Sequence, residues 1–367
     1  MSTNQNKSTN NSYFMRLALL QAKKNLGNTG KNPSVGCIIE KRGSVISVGH
    51  TSINGRPHAE HNAMNIAKNA LKNSNLYVTL EPCSHYGVTP PCVKAIIKNK
   101  VSKVFFSVND PDFRSHKKST RLLKRKKIFV KKGICSSEIT SFYRSYFKSK
   151  GNILPFVTCK LAISKDFFSF NKKRKWITNK FSRGRVHLMR SNHDCILTSS
   201  TTILKDNPSL LCRINGLKDK SPTKIVLDNK LKTPMSSKIV NEALKHRTII
   251  LYNRLNKRKI RLLKKAKVEC YEIPLDFNNN LDLIQVLIKI KELGFSRIFL
   301  ESGIKLATNF LNDNLVDDLK LFISSTKIGK NGDRSFKKSF LQYLSHKQYM
   351  EEKVNLLGDK LLSYSLK

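Results

Sequence analysis

The chain has 367 residues, 39% of them hydrophobic, which is enough for two ordinary domains with buried cores and too many for a disordered polymer. Lys and Arg number 69 against 25 Asp and Glu, a formal charge of +44 that suits an enzyme for anionic substrates or a nucleic-acid binder. No apolar run reaches membrane-spanning length, and the polar start MSTNQNKSTNNS lacks the apolar core of a secretion signal, so a cytoplasmic protein is expected.

The basic runs KKNLGNTGKN, KRKKIFVKK, NKKRK and NRLNKRKIRLLKKAK are spread along the chain rather than gathered on one element. A binding patch for nucleic acid should be localised, so the charge reads as a general bias towards Lys and Asn. Such a field still attracts phosphorylated metabolites. The eight cysteines are too sparse for a disulfide scaffold in a chain of this length, and the implied compartment is reducing.

In chain order, residues 1–12 read as a polar, disordered start. Tyr13 to Leu26 follows as a helix with Phe14, Leu17, Ala18 and Ala22 among its apolar positions. Val35 to Glu40 and Val45 to Val48 flank Lys41-Arg42-Gly43, a hairpin signal. Pro57 opens a second helix whose buried stripe is Ala59, Ala63, Ile66, Ala67 and Ala70. Leu76 to Leu80 is a strand, Pro90-Pro91-Cys92 starts a helix, and strands follow at Val104 to Val108 and Ile128 to Val130. Glu138 to Lys148 is a connecting helix, and Gly151-Asn152 marks a boundary. The expected domains are therefore 13–150 and 151–367. The second carries strands at Phe156 to Leu161, Cys195 to Leu197, Lys224 to Leu227, Thr248 to Leu251 and Arg297 to Leu300, with a helix at Leu281 to Leu293. Alternating strands and helices make both domains α/β.

The chemistry gathers in the first domain. His58 and Glu60 lie at the start of the second helix, Cys83 follows the next strand, and Cys92 begins the helix after it. One imidazole and two thiolates suit tetrahedral zinc with a fourth position left for water. Helix N-termini favour the thiolate form. Glu60, beside the ligand but not one itself, is placed to carry a proton between that water and a leaving amine. This is the logic of zinc nucleobase deaminases, although eight residues separate the cysteines here instead of two. A structural zinc site, with His61 or His85 as fourth ligand, is the other reading, and it leaves Glu60 without a task. The absence of His-Glu-x-x-His excludes a zincin protease.

The stretches Asn32-Pro33-Ser34-Val35-Gly36-Cys37, Gly49-His50, Pro57-His58-Ala59-Glu60 and Thr79 to Cys92, TLEPCSHYGVTPPC, resemble one family, the bifunctional riboflavin-biosynthesis deaminase/reductases. Lys160 to Ser164, Trp176-Ile177-Thr178, His193 to Arg213, Ile225 to Asp228 and Glu301-Ser302-Gly303 resemble its second half. The resemblance implies a cytidine-deaminase-like three-layer α/β/α domain followed by a dihydrofolate-reductase-like α/β domain. The implied activity is deamination of 2,5-diamino-6-ribosylamino-4(3H)-pyrimidinone 5′-phosphate, then NADPH-dependent reduction of the ribosyl group to ribityl. It implies His58, Cys83 and Cys92 as zinc ligands, Glu60 as proton carrier, and Asn32 and His50 at the substrate, with Ser84, His85 and Thr89 of the intercysteine loop as candidate phosphate contacts. Ala162, Trp176, Thr202, Asp206, Asp228, Gly303, Ile304, Lys305, Leu306, Ala307, Thr308 and Asn309 fall at NADPH positions. Arg174, Arg190, Leu210, Arg213 and Glu301 fall at substrate positions, and guanidinium forks suit a phosphate. A homodimer is also implied, with a phosphorylated small molecule as the partner and neither membrane nor specific nucleic acid.

Three departures stand out. The family turn Ser-Leu-Asp-Gly reads Ser164-Lys165-Asp166-Phe167, the segment before Trp176 is shortened, and Asp112 to His116 replaces a glycine-containing loop. If the lost glycine has positive φ, Phe167 is strained there. A deaminase with a degenerate reductase domain is therefore the alternative, and an RNA-binding or RNA-editing deaminase a more distant one. The residues after Phe322 carry no family landmark.

Overall fold

The computed structural model describes residues 2–173, 176–335, 342 and 344–367, and the chain divides into two compact units, Met1–Ile153 and Leu154–Lys367. The first unit runs α1 (Ser2–Lys23), β1 (Gly36–Lys41), β2 (Ser44–His50), α2 (Ala59–Ala67), β3 (Asn75–Leu80), α3 (Cys92–Lys98), β4 (Lys103–Val108), α4 (Lys118–Arg125), β5 (Phe129–Lys132) and α5 (Ser136–Gly151). Its sheet has the order β2-β1-β3-β4-β5, antiparallel at the β2 side and parallel from β3 to β5. β1 and β3 are buried along nearly their whole length, as unbroken apolar strands covered on both faces should be.

Two glycines set how closely helices approach this sheet. A Cβ at Gly36 would stand 1.8 Å from the Ala18 carbonyl oxygen, and one at Gly49 would stand 2.2 Å from that of Ala59. Their bare backbones let α1 and α2 rest directly on β1 and β2. The second contact fixes the N-terminus of α2, where His58 and Glu60 lie.

Two local expectations change. The expected disordered start is helical, because α1 begins at Ser2. Each residue added to an existing helix contributes a hydrogen bond without a new nucleus, and Tyr77 Oη donates to Asn11 Oδ1 at 2.8 Å. In α2, Met64 is buried beside Ala59 and Ala63, whereas Ile66 lies 61% exposed. The helix ends at Ala67, so the stripe does not continue to Ala70.

The second unit runs β6 (Phe156–Ile163), β7 (Phe168–Asn171), α6 (Lys180–Ser191), β8 (Cys195–Ser199), α7 (Ser200–Asp206), β9 (Thr223–Leu227), α8 (Lys238–Asn241), β10 (Thr248–Tyr252), α9 (Lys257–Lys265), β11 (Val268–Glu272), α10 (Leu283–Glu292), β12 (Arg297–Glu301), α11 (Ile304–Asn312), β13 (Asp318–Ile323), β14 (Gly332–Ser335), β15 (Tyr349–Glu351) and β16 (Lys360–Ser365). Nine strands form the sheet β11-β10-β9-β8-β12-β6-β13-β16-β15, parallel from β11 to β13. Alternate strand residues serve its two faces. Val157, Leu197, Ile225 and Leu300 pack into one core, and Ile196, Val226, Phe299 and Phe322 into the other.

After β6 the chain moves outward through β8 to β11 and returns to place β12 between β8 and β6. In such open sheets the crevice at the carboxyl ends of the strands, where the winding reverses, is the natural ligand site. The chain end without landmarks has a structural task. β16 pairs with all six residues of β13, and Leu361 and Tyr364 are buried.

Candidate functional site

In the first unit His58 is the N-cap of α2, Cys83 lies in the loop after β3, and Cys92 is the first residue of α3. These three elements meet at one point. His58 Nδ1 is 3.6 Å from Cys83 Sγ and 3.4 Å from Cys92 Sγ. The three ligand atoms lie within 4.8 Å of one another. A tetrahedral zinc ion with bonds of about 2.0 Å to nitrogen and about 2.3 Å to sulfur holds N and S about 3.5 Å apart, so the donor set and its spacing fit. The Cys92 backbone N–H donates to Cys83 Sγ at 3.3 Å. A hydrogen bond between the two thiols, with help from His58, holds the Cys83 thiol well below its usual value, while the same bond and burial push Cys92 up. Glu60 sits in the first turn of α2, 3% exposed, and burial pushes its carboxyl up against the opposing charge of His58.

The other sequence-derived residues of this unit are each held by hydrogen bonds of their own. Asn32 Nδ2 donates to the Gly55 carbonyl at 3.2 Å. His50 ends β2, and its carbonyl accepts from Asn62 Nδ2 at 2.8 Å. The intercysteine loop is tied on both sides. Ser84 Oγ donates to the Arg114 carbonyl at 3.4 Å, His85 Nδ1 is 2.9 Å from Ser115 Oγ, and Thr89 Oγ1 accepts from Arg56. The departing segment thus serves as an anchor. Asp112 holds it with a two-point pair to Arg114 and a 3.1 Å contact to Lys150, and its carboxyl is held well below the usual range, first by Arg114.

In the second unit Ala162, Thr202, Asp228, and Glu301 with Gly303 lie at or just after the carboxyl ends of β6, β8, β9 and β12. Arg190 grips Glu301 through Nε at 2.9 Å and Nη2 at 2.8 Å, and its Nη1 donates to the Leu211 carbonyl. Burial acts to raise the Glu301 carboxyl, but Arg190 overrides it and holds it at about 2. Arg190 is therefore committed to a carboxylate. Lys160 stands opposite Glu301 in the β6–β12 register, and burial lowers its pKa against the pull of Glu301. Sequence reading missed Lys160, although a lysine inside FVTCKLAI was the available signal. It missed His187 as well, whose Nδ1–H donates to the Leu211 carbonyl at 3.0 Å.

Gly303 is the N-cap of α11, so Ile304, Lys305 and Leu306 form its first turn and offer backbone N–H groups to a phosphate. Thr202 lies in the first turn of α7, its N–H donating to Ser199 Oγ, and Asp206 is the exposed last residue of that helix. Trp176 is 54% exposed and stacks under the Arg183 guanidinium at 5.0 Å. Ala162 is partly buried against the core, and Thr308 and Asn309 continue α11. Arg174 lies outside the described residues.

Three side chains have other employment than the one expected. Asp228 is buried, and its two oxygens accept from the Lys232 and Thr233 N–H groups at 2.8 and 2.7 Å, which shapes a turn. Ala307 and Leu210 are buried in the core, so only their backbones are available to a ligand. The glycine suspicion was sound: Phe167 has φ 67°, in the left-handed region that favours glycine. Its turn is nevertheless closed, with the Phe167 N–H donating to the Ser164 carbonyl and Asp166 accepting from the Ile328 and Gly329 N–H groups.

Comparison with known proteins agrees with this layout. The sequence model of the RibD C-terminal domain matches residues 155–357, and that of the cytidine and deoxycytidylate deaminase zinc-binding region matches residues 8–108. The riboflavin biosynthesis protein RibD of Aquifex aeolicus is 32% identical, covering 96% of this chain and 97% of its own length. That of Escherichia coli K12 is 30% identical, covering 87% and 89%. The solved structure of Acinetobacter baumannii RibD, form 1, superposes with TM-score 0.82 at 27% identity over 98% of this chain and 99% of its own. The Thermotoga maritima diaminohydroxyphosphoribosylaminopyrimidine deaminase/5-amino-6-(5-phosphoribosylamino)uracil reductase gives 0.82 at 26% identity over the same shares. Both units are matched, and the chain belongs to the RibD family, the zinc- and NADPH-dependent bifunctional deaminase/reductases of riboflavin biosynthesis.

Proposed function

We propose that His58, Cys83 and Cys92 hold the zinc of the deamination step and that Glu60 moves its protons. The observation that carries this reading is the gathering of three ligand atoms at nitrogen–sulfur distances that suit a tetrahedral ion, with a buried carboxyl two residues after His58 in the first turn of α2. Zinc, when bound, supplies a Lewis acid that makes a water molecule acidic near neutral pH. Glu60 then takes a proton from water at its carboxylate and returns one to the departing 2-amino group, which leaves as ammonia. Burial suits this role, since it favours the protonated carboxyl between the two transfers. Asn32 and His50 orient the pyrimidine.

For the reduction, the first turn of α11 and the Thr202 end of α7 receive NADPH, and the Lys160–Glu301–Arg190 cluster faces the ribosyl phosphate compound. The chain works in the cytoplasm as a homodimer, with deaminase residues 13–150 and reductase residues 151–367. Sedimentation of the purified chain checks the dimer. Glu60→Gln tests the mechanism: it should retain one zinc per chain by elemental analysis and lose deamination by about 10²- to 10⁴-fold. Unchanged ammonia release would overturn the assignment of Glu60.

A further inference from the structure

Arg56 differs from Arg16 and Arg114 of the first unit. Arg16 pairs with Glu138 and Arg114 with Asp112, but among the described residues no carboxylate pairs with Arg56. Its partner is a hydroxyl, Thr89 Oγ1. The guanidinium is half-buried beneath the tip of the intercysteine loop, where a Cβ on Gly87 would come 3.0 Å from Arg56 Nη2. Arg56 precedes His58 by two residues in the chain. The residue before it is held from the other side, because Asn32 Nδ2 donates to the Gly55 carbonyl. A guanidinium has five N–H donors, and Thr89 uses one of them.

We propose that Arg56, with Thr89, forms the cationic seat for the 5′-phosphate of the deaminase substrate. A cation held beside a metal centre without a neutralising carboxylate is a site for an anion, and the phosphate is the anionic group of the pyrimidine substrate. The planar fork accepts two phosphate oxygens at once, and the hydroxyl of Thr89 completes the contact. The intercysteine loop has no cation of its own, since Ser84 to Pro91 is uncharged apart from His85. Its exposed tip carries Tyr86 and Val88 instead. The charge that holds the phosphate therefore comes from the segment preceding His58. This inference rests on the deaminase reading above and deepens it.

The test compares the phosphorylated pyrimidine with the same compound after phosphatase treatment, following ammonia release without NADPH. For the wild type the phosphorylated compound should have the higher kcat/KM. In Arg56→Ala that preference should shrink by about 10- to 100-fold, carried by KM, with zinc content kept. Arg56→Lys should recover part of it. Loss of zinc in Arg56→Ala, or an equal fall in kcat for both compounds, would show that Arg56 only pins the loop and would overturn the proposal. Ammonia from neither compound in the wild type would remove the deaminase reading itself, and the proposal with it.

Discussion

His193 is held as a neutral ring. Its Nδ1–H donates to the Met189 carbonyl at 2.6 Å, so Nε2 is left to accept from Thr158 Oγ1 at 3.0 Å. Burial, joined by the charge of Arg297, pushes its pKa well below the usual value. A histidine whose folded pKa is depressed binds its proton first in the unfolded chain. The contribution of His193 to the second unit's stability is therefore retained above about pH 6.5 and falls as pH drops below it, by up to about 1.4 kcal/mol per pH unit. Asp194, raised to about 6 by burial, contributes with the opposite sign. The difference between wild type and His193→Gln in unfolding free energy from urea melts between pH 7 and 5 isolates the histidine's share and should change with pH in the direction given for His193. At the same scale, Phe167 occupies a left-handed position without a glycine's freedom. Phe167→Gly should raise the unfolding free energy of the reductase unit, read from urea melts, by about 1 kcal/mol, the relief of αL strain less the added freedom of the unfolded chain.

Elements position the zinc ligands through two kinds of contact, a helix resting on a strand and a loop tied down on both sides. Gly49 is the first: with Ala59 O 2.2 Å from where its Cβ would stand, Gly49→Ala must lift α2 from β2. The expected cost is about 1–3 kcal/mol, accompanied by weaker zinc retention on dialysis against a chelator. The second is the Ser115 side of the intercysteine loop, where one hydroxyl serves both the Ser84 backbone and the His85 ring. What the chain order revealed at this scale has a physical basis. His58, Cys83 and Cys92 were legible because each sits at an element boundary marked by proline or by a change of period. Arg190 and Glu301 could be named singly, but their mutual grip spans 111 residues and exists only once β12 returns beside β8. The turn that Asp228 closes was hidden for a related reason: a strand-end acid reads the same whether it faces a ligand or binds the backbone N–H groups after it.

Across the whole molecule, the positive charge is distributed over many helices, including α4 and α9, each carrying several cations. No single stripe interleaved with aromatic residues stands out in the sequence, so RNA retention on a filter should lack sequence preference and fade steeply between 50 and about 200 mM salt. The alternation of strands and helices made the α/β class of both units legible. The parallel order that returns β12 between β8 and β6 was not, because strand order depends on long-range closure rather than local period. Nor was the role of the last residues, since β16 is defined by its pairing with β13. The two units together predict a two-step conversion by one chain. The most direct measurement supplies the zinc-loaded protein with the pathway pyrimidine phosphate, with and without NADPH, and resolves the products by mass spectrometry. Without NADPH the account predicts the deaminated ribosyl compound with one ammonia released per molecule converted; with NADPH it predicts the deaminated ribityl compound. Recovery of unchanged pyrimidine in both reactions, or of ribosyl product alone when NADPH is present, would contradict it.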